Sequence, residues 1–446
     1  MTEQRITPRT LKGFRDFLPE TMIPRERLME TARSVYRSYG FVPIETPTLE
    51  YSEILCGKGG EESDRQMFRF EDHGGRDVGM RFDLTVPLAR YVAQHNNELG
   101  LPFKRYHIGM VWRGEKPQVG RYREFAQCDF DTIGSTSIAS DIETALVIHD
   151  LMRAIGFENF NIRVNNRKIL NGLLQKFDVA HESVAVLRAI DKLPKIGRDK
   201  VREEITGATA INDQQVEQIL GLAEISGNHA DVIRQLESVC QGNELAEQGL
   251  QELAELTEAT RAVGVAQEQL QIDVSIARGL DYYTGTIFET FLNDLPGIGS
   301  VCSGGRYDNL ADLFTKQQLP GIGASLGLDR LLAAMQTLEM IPAMRTTADI
   351  LVVQFDAGRL SDYFRIAGKL RAAGISTEVY PAAKRLGQQF KYADRKGFQA
   401  VIVAGSDELE SGHVQLKWLA DGSQHELSSD NGCAEVIGWL QEKLAK

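Results

Sequence analysis

Two extended segments, residues 103–113 and 121–131, are joined by the glycine-bounded loop Gly114-Glu115-Lys116-Pro117-Gln118-Val119-Gly120, and this pattern restricts the fold more than any other. Paired antiparallel, the two segments place their odd-numbered side chains on one face and their even-numbered side chains on the other. On the second segment the odd face carries Arg123, Gln127, Asp129 and Asp131, while the even face carries Glu124, Ala126, Cys128 and Phe130. A strand that is polar on one face and set among apolar elements predicts a sheet packed on one side, with a floor for a polar ligand on the other; the competing reading of that face is a solvent-facing surface.

The chain has 446 residues, which predicts two to three domains. Its composition, 42% hydrophobic and 25% charged, is that of a soluble globular protein. The N-terminal residues lack the apolar core of a signal peptide, and no apolar run approaches a membrane span. Cys56, Cys128, Cys240, Cys302 and Cys433 are scattered and odd in number, without a C-x-x-C spacing. That argues against a disulfide framework or structural zinc and for a reducing cytoplasm. A net charge of −12 argues against indiscriminate coating of nucleic acid but leaves room for a local basic surface. Residues 384–396 offer one, with Lys384, Arg385, Lys391, Arg395 and Lys396 against Asp394. The competing reading of this stretch is a solvated helix face.

Periodicity sets the remaining elements. Residues 24–39 read as an amphipathic helix with Leu28, Ala32, Val35, Tyr36 and Tyr39 on one stripe, stopped by Gly40. A strand is expected at 78–82 and a helix at 85–94. From about 166 to 265 Glu, Gln, Ala and Leu dominate, which predicts an inserted helical domain. Strands return at 272–276, 286–291 and 300–302, the last followed by a glycine-rich turn, and 321–328 leads into a helix near Leu328. The tail reads strand (349–355), helix (360–373), strand (375–380), helix (383–396), strand (400–404), then a hairpin strand at 414–419 turning at Asp421-Gly422 and a final helix at 433–445. That rhythm predicts a small α/β domain.

No phosphate-binding G-x-x-x-x-G-K-[ST] loop occurs, and Gly321-x-Gly323-x-x-x-Gly327 misses the dinucleotide spacing. His107-Ile108-Gly109-Met110 lies within a strand, without the glycine turn that a Rossmann nucleotide site needs. What remains is arginine chemistry: Arg113 and Arg121 flank the hairpin loop, Arg278 precedes Gly279, and Arg330 opens a helix. Guanidinium groups stay charged and present a planar fork to phosphate or carboxylate oxygens. The segment from Arg278 to Glu289 adds Tyr282, Tyr283 and Gly285, a combination suited to gripping a small aromatic cation next to a phosphate.

Residues 103–134, with Trp112-Arg113-Gly114-Glu115 and Gly120-Arg121-Tyr122-Arg123-Glu124-Phe125, resemble motif 2 of class II aminoacyl-tRNA synthetases. Gly321-Ile322-Gly323-Ala324-Ser325-Leu326-Gly327-Leu328-Asp329-Arg330 resembles motif 3, and the helix–strand unit ending at Pro47 is similar to the dimer-forming motif 1. Gly13-Phe14-Arg15-Asp16-Phe17-Leu18-Pro19, the Arg278–Glu289 segment and Cys302-Ser303-Gly304-Gly305-Arg306-Tyr307-Asp308 resemble segments of histidyl-tRNA synthetases in particular.

The resemblance implies an α+β fold, a class II synthetase-like antiparallel sheet flanked by helices. It also implies a catalytic domain at 1–345 with the helical insertion at about 166–265, and a small anticodon-binding α/β domain at 348–446. By the same resemblance Arg113 bridges the amino-acid carboxylate and the ATP α-phosphate, Arg278 touches the α-phosphate, Glu115 meets the adenine amino group and Phe125 stacks on the base. Arg121 and Arg330 hold the β- and γ-phosphates. Asp83, Thr85, Gln127 and Asp131 receive the histidine ammonium and orient its carboxylate, and Tyr282 and Tyr283 line the imidazole pocket. Asp83 and Asp131 stand where many members carry glutamate, a shorter reach with the same charge. Implied partners are L-histidine, ATP with Mg2+, histidine tRNA and a second copy of the chain in a homodimer, with no membrane. Gln118 and Arg123 are candidates for contact with the tRNA acceptor end. The competing readings are that the tyrosines pack a core and Asp83 caps a helix. A rival function is a regulatory relative that binds histidine without charging tRNA.

Overall fold

The computed structural model describes residues 6–56, 65–118, 120–276, 282–341, 344–354 and 356–445. The chain divides into two compact units, Met1–Arg15 with Arg27–Leu338, and Asp16–Glu26 with Glu339–Lys446. Across the main sheet of the larger unit the strands run in the order Val42–Pro43, Phe103–Trp112, Glu124–Ile133, Gly321–Gly327, Cys302–Tyr307, Thr286–Leu292, Phe160–Asn166 and Leu270–Ile272. Neighbours are antiparallel except at the two edges, where Val42–Pro43 and Leu270–Ile272 each lie parallel to the strand beside them.

The hairpin forms in the expected register, with Arg105 opposite Asp131, His107 opposite Asp129 and Gly109 opposite Gln127. Its even face is core. Ala126, Cys128 and Phe130 are buried against the Pro19–Ser38 helix, whose Leu28, Ala32, Val35 and Tyr36 form the buried stripe. The Tyr36 ring lies 5.1 Å from that of Phe130, and its hydroxyl donates to the Cys128 carbonyl at 2.9 Å. A tyrosine sunk this deep needs such a partner, because an unpaired buried hydroxyl would offset much of what its ring gains.

Residues 303–305, expected as a turn, instead lie inside the strand Cys302–Tyr307. The glycines there serve close approach between strands, not chain reversal. A Cβ on Gly304 would lie 2.1 Å from the Gly323 carbonyl oxygen, and one on Gly323 would lie 2.3 Å from Asp131 Oδ1. The strand expected at 272–276 lies slightly upstream, at Leu270–Ile272, and the one expected at 78–82 spans Asp77–Met80.

Helices run from Arg167–Lys176 to Glu244–Ala262 through the inserted region. Asn166, Asn212, Asn228 and Asn243 each cap a helix start by accepting a backbone N–H, which satisfies a donor that the first turn leaves unpaired. The insertion is fixed to the sheet by Glu252, which pairs with Lys168 at 2.6 Å and accepts from Asn166 at 2.7 Å.

In the smaller unit the sheet order is Thr377–Val379, Ile350–Val352, Ala400–Val403, His413–Trp418 and Gln424–Ser428; the first three strands are parallel and the last two antiparallel. Ile350 and Val352 face one apolar cluster, and Leu351 and Val353 the other, so the central strand is apolar throughout because both faces are covered. Gly397, at φ +80°, closes the Leu386–Lys396 helix in the left-handed conformation that a β-carbon disfavours. Lys384 and Arg385 precede that helix, which starts at Leu386. The short helix Ser406–Ser411 was not foreshadowed by periodicity.

Gly304→Ala is expected to destabilise the larger unit by about 1–3 kcal/mol or more, because the new methyl group meets backbone that cannot retreat. Urea denaturation followed by tryptophan fluorescence checks this, and an unchanged midpoint would contradict the close-approach reading.

Candidate active site

The hairpin loop is folded back on itself, with Gln118 and Arg121 exchanging backbone hydrogen bonds at 3.1 and 2.9 Å. Gly120 sits at φ +72°, close enough to Arg330 that a Cβ there would lie 3.4 Å from Arg330 Cγ. Arg123 ties the loop base down: its backbone N–H donates to the Gly13 carbonyl at 2.9 Å and its Nε to the Glu115 carbonyl at 3.1 Å. Its Nε is thus engaged in holding the loop. Gln118 remains exposed.

Three of the expected arginines converge on one cleft, lined by Arg113, Arg121 and Arg330 together with Glu115, Tyr122, Phe125 and Gln127. Arg113 is held by Nε donation to the Phe82 carbonyl at 3.1 Å, with its guanidinium 4.3 Å from the Phe82 ring centre and 5.1 Å from that of Phe125. Glu115 lies 3.6 Å from Arg121. Arg330 donates to the Ser300 carbonyl. Its pKa is lowered first by burial and then by the like charges of Arg121 and Arg113, with Glu115 opposing. Arg330 is thus held close to two like charges, with Glu115 as a nearby counter-charge.

Asp329 sets the geometry. Its Oδ1 accepts from Arg15 at 2.6 Å and its Oδ2 from the Ala126 backbone N–H at 2.8 Å, so the first turn of the Leu328–Thr337 helix is pinned to the hairpin. Arg15 stacks in turn on Tyr122, 3.8 Å from the ring centre.

Beyond Arg113 the floor carries the amino-acid candidates. Gln127 donates Nε2 to Ser325 at 2.8 Å, while its Oε1 is buried without a partner. Asp131 is committed on both sides, to Arg105 at 2.6 Å and to the Tyr307 hydroxyl. The structure thus gives it a built-in cation in place of an open carboxylate. Asp83 Oδ1 accepts from the backbone N–H of Thr85 and Val86 at 3.1 and 3.0 Å, so the capping reading holds for that oxygen. Burial raises its pKa, opposed by those hydrogen bonds and by Arg113. Thr85 bonds to the Tyr282 hydroxyl. Tyr282 packs in an apolar cluster with Val86, Leu310 and Leu319, and the half-buried Tyr283 meets it edge-on at 5.0 Å. The core reading therefore fits much of the Tyr282 ring. Arg278 lies outside the described residues. The described backbone on either side is held by Asn165, which donates to the Val274 and Ile276 carbonyls, and by Arg167, which donates to the Tyr283 carbonyl.

Sequence reasoning gave no role to Arg105, Ser325 or Tyr307, and it set Asp129 on the polar floor without assigning it one. Alternation on the first hairpin strand would have pointed to Arg105 and His107, which share the odd face. Arg105 is fully buried, Asp129 is 2% exposed and His107 3%. Burial, then Arg105 and Arg81, push the His107 pKa down to about 3, so it stays neutral. Burial pushes Asp129 up to about 7, with Arg105 opposing and Asp131 adding.

The family profile described as "Histidyl-tRNA synthetase" matches residues 13–331, and one described as "Anticodon binding domain" matches residues 349–442. The chain is 58% identical to a protein named histidine–tRNA ligase from Rhodopirellula baltica, over 97% of this chain and 98% of that protein. It is 46% identical to one of the same name from Wolinella succinogenes, over 98% and 100%. The crystal structure of histidyl-tRNA synthetase from Nostoc sp. PCC 7120 superposes with a TM-score of 0.90 at 34% identity, covering 98% of this chain and 100% of that one.

Asp129 binds its proton more tightly folded than unfolded, so its contribution to stability is complete below the unfolded pKa and is lost as pH rises through about 7. Asp129→Asn is therefore expected to gain on the wild type between about pH 4 and pH 7, by up to about 4 kcal/mol. Denaturant midpoints of both proteins across that range check this; parallel profiles would contradict it.

Proposed function

The chain belongs to the histidyl-tRNA synthetase family, and from that membership we propose that it charges histidine tRNA in two steps. In the first, the carboxylate of L-histidine attacks the α-phosphate of ATP, pyrophosphate leaves, and histidyl-adenylate stays bound. In the second, the terminal adenosine hydroxyl of the tRNA takes the acyl group. The observation that carries the reading is the convergence of Arg113, Arg121 and Arg330 on one cleft beside Phe125, next to the Asp83, Tyr282 and Tyr283 region. Fixed positive charge placed where phosphate charge develops lowers the barrier without reorganisation at the moment of reaction.

Arg113 stands between the two halves: its electrostatic neighbours are Asp83 and Tyr282 on one side and Glu115 on the other. It is assigned the bridge between carboxylate and α-phosphate, with Arg278 as the second catalytic cation. Arg121 and Arg330 are assigned the outer phosphates, Glu115 and Phe125 the adenine, and Tyr282 and Tyr283 the imidazole. ATP enters as its Mg2+ complex, a substrate whose remaining charge the arginines meet. Asp83, Thr85 and Gln127 surround the ammonium, with Asp131 adding negative potential that Arg105 moderates. Holding both reactants in line supplies much of the acceleration.

The C-terminal unit is assigned to anticodon binding, with exposed Lys391 and Arg395 as its contacts. A homodimer is supported by the exposed apolar Leu49, Tyr51 and Phe70 of the three-stranded sheet, which leave a surface suited to a second copy. The five free cysteines agree with a reducing cytoplasm. Among the described residues no helix is long and apolar enough to cross a membrane. No observation favours the regulatory alternative.

Pyrophosphate exchange should require L-histidine, and Arg330→Ala or Arg278→Ala should lower its rate on the order of 10²–10³-fold. A near-normal rate in either variant would remove that residue from the site. Lys391→Glu with Arg395→Glu should weaken tRNA charging about tenfold or more while leaving exchange intact, since each exposed cation lost removes one phosphate contact. Equal losses in the two assays would contradict this division between the units.

A further inference from the structure

The two ends of the Gln127 amide meet different chemistry. The nitrogen donates to Ser325 Oγ at 2.8 Å, whereas the oxygen is buried and unpartnered on a side chain that lines the cleft. Ser325 is the cross-strand partner of Asp129, on the same face of the sheet, where its hydroxyl favours the ionised form of that carboxylate. Gln127 is 9% exposed and Asp129 2%, so bulk water does not compete for either.

A hydroxyl has a single proton to give, and above about pH 7, where Asp129 is ionised, its carboxylate can only accept. Once Ser325 has donated to Asp129, its oxygen can offer a neighbour only lone pairs. The amide end facing it must then be the NH2 group, which leaves the carbonyl oxygen of Gln127 directed into the cleft. We propose that Asp129 and Ser325 form a relay that fixes the orientation of the Gln127 amide and so makes the site selective for the substrate's α-ammonium. Both are positioning residues, acting through Gln127. The relay rests on the reading that an amino acid occupies this part of the cleft.

Substitution has an asymmetric consequence. In Ser325→Ala the amide loses its tether but still sits beside an anionic Asp129. In Asp129→Asn the new amide can donate to Ser325, which frees the hydroxyl proton to turn toward Gln127. Gln127 then offers its carbonyl inward and its NH2 group to the ligand, which opposes an ammonium.

The test uses the full-length protein and two probes, histidinol, which carries the ammonium, and its des-amino counterpart imidazolepropanol. Affinities are measured by calorimetry at about pH 8, where Asp129 is ionised, in the wild type, Ser325→Ala, Asp129→Asn and the double variant. The preference for the amine is expected to fall ~10-fold in Ser325→Ala and further in Asp129→Asn, while imidazolepropanol and ATP affinities hold within about twofold. The double variant should lose no more than Asp129→Asn alone, because both changes cut one relay. Amine and des-amino probes weakening together, an unchanged preference in Ser325→Ala, or additive losses would each overturn the relay. A wild type that binds neither probe would instead sink the parent reading, and the relay with it.

Discussion

Three guanidinium groups of like charge share one cleft, and the fold has to hold them there against mutual repulsion. Desolvation compounds the difficulty, since Arg330 is depressed by burial before its neighbours act. The opposing forces are local and named. Nε of Arg113 is spent on the Phe82 carbonyl, Arg330 on the Ser300 carbonyl, and Glu115 supplies nearby negative charge. Asp329 contributes position, because it binds Arg15 and a strand N–H at once and so fixes the helix that bears Arg330. A site built this way is arranged before its ligand arrives, which is the condition for electrostatic stabilisation of a transition state.

The hairpin strand Glu124–Ile133 couples that site to the core. Its even side chains pack under Tyr36 and Phe41, and its odd side chains form the polar floor. A one-residue slip would exchange the two sets, sending Asp129 and Asp131 into the apolar layer. The aromatic packing beneath thus enforces the register that aligns the chemistry above.

Much of this was legible because it follows from alternation and glycine placement. The hairpin, the helical insertion, the α/β tail and the cleft arginines all carry local signals. Arg105 did not stand out, because a lone arginine on a strand has no local mark of burial; only the partner strand reveals Asp131 opposite it. The strand Cys302–Tyr307 was missed for a related reason. Its glycines mimic a turn in sequence, and the neighbour that requires their smallness, Gly323 and its carbonyl, is brought alongside by tertiary structure. Asp83 shows how one residue can answer two expectations, since a single carboxylate oxygen takes the cap and the charge still faces Arg113.

Gly305 and Gly323 are hollows that other side chains occupy. A Cβ on Gly323 would strike Asp131, and one on Gly305 would lie 3.1 Å from Tyr283 Cδ1 and 2.6 Å from the Thr286 carbonyl oxygen. Mutational drift across the middle of the sheet is therefore closed, because no larger residue fits without evicting an aspartate or a tyrosine. Any change in which amino acid is accepted has to begin on the flanking strands and loops, and variation in ligand preference would map to the rim of the cleft while its centre stays invariant.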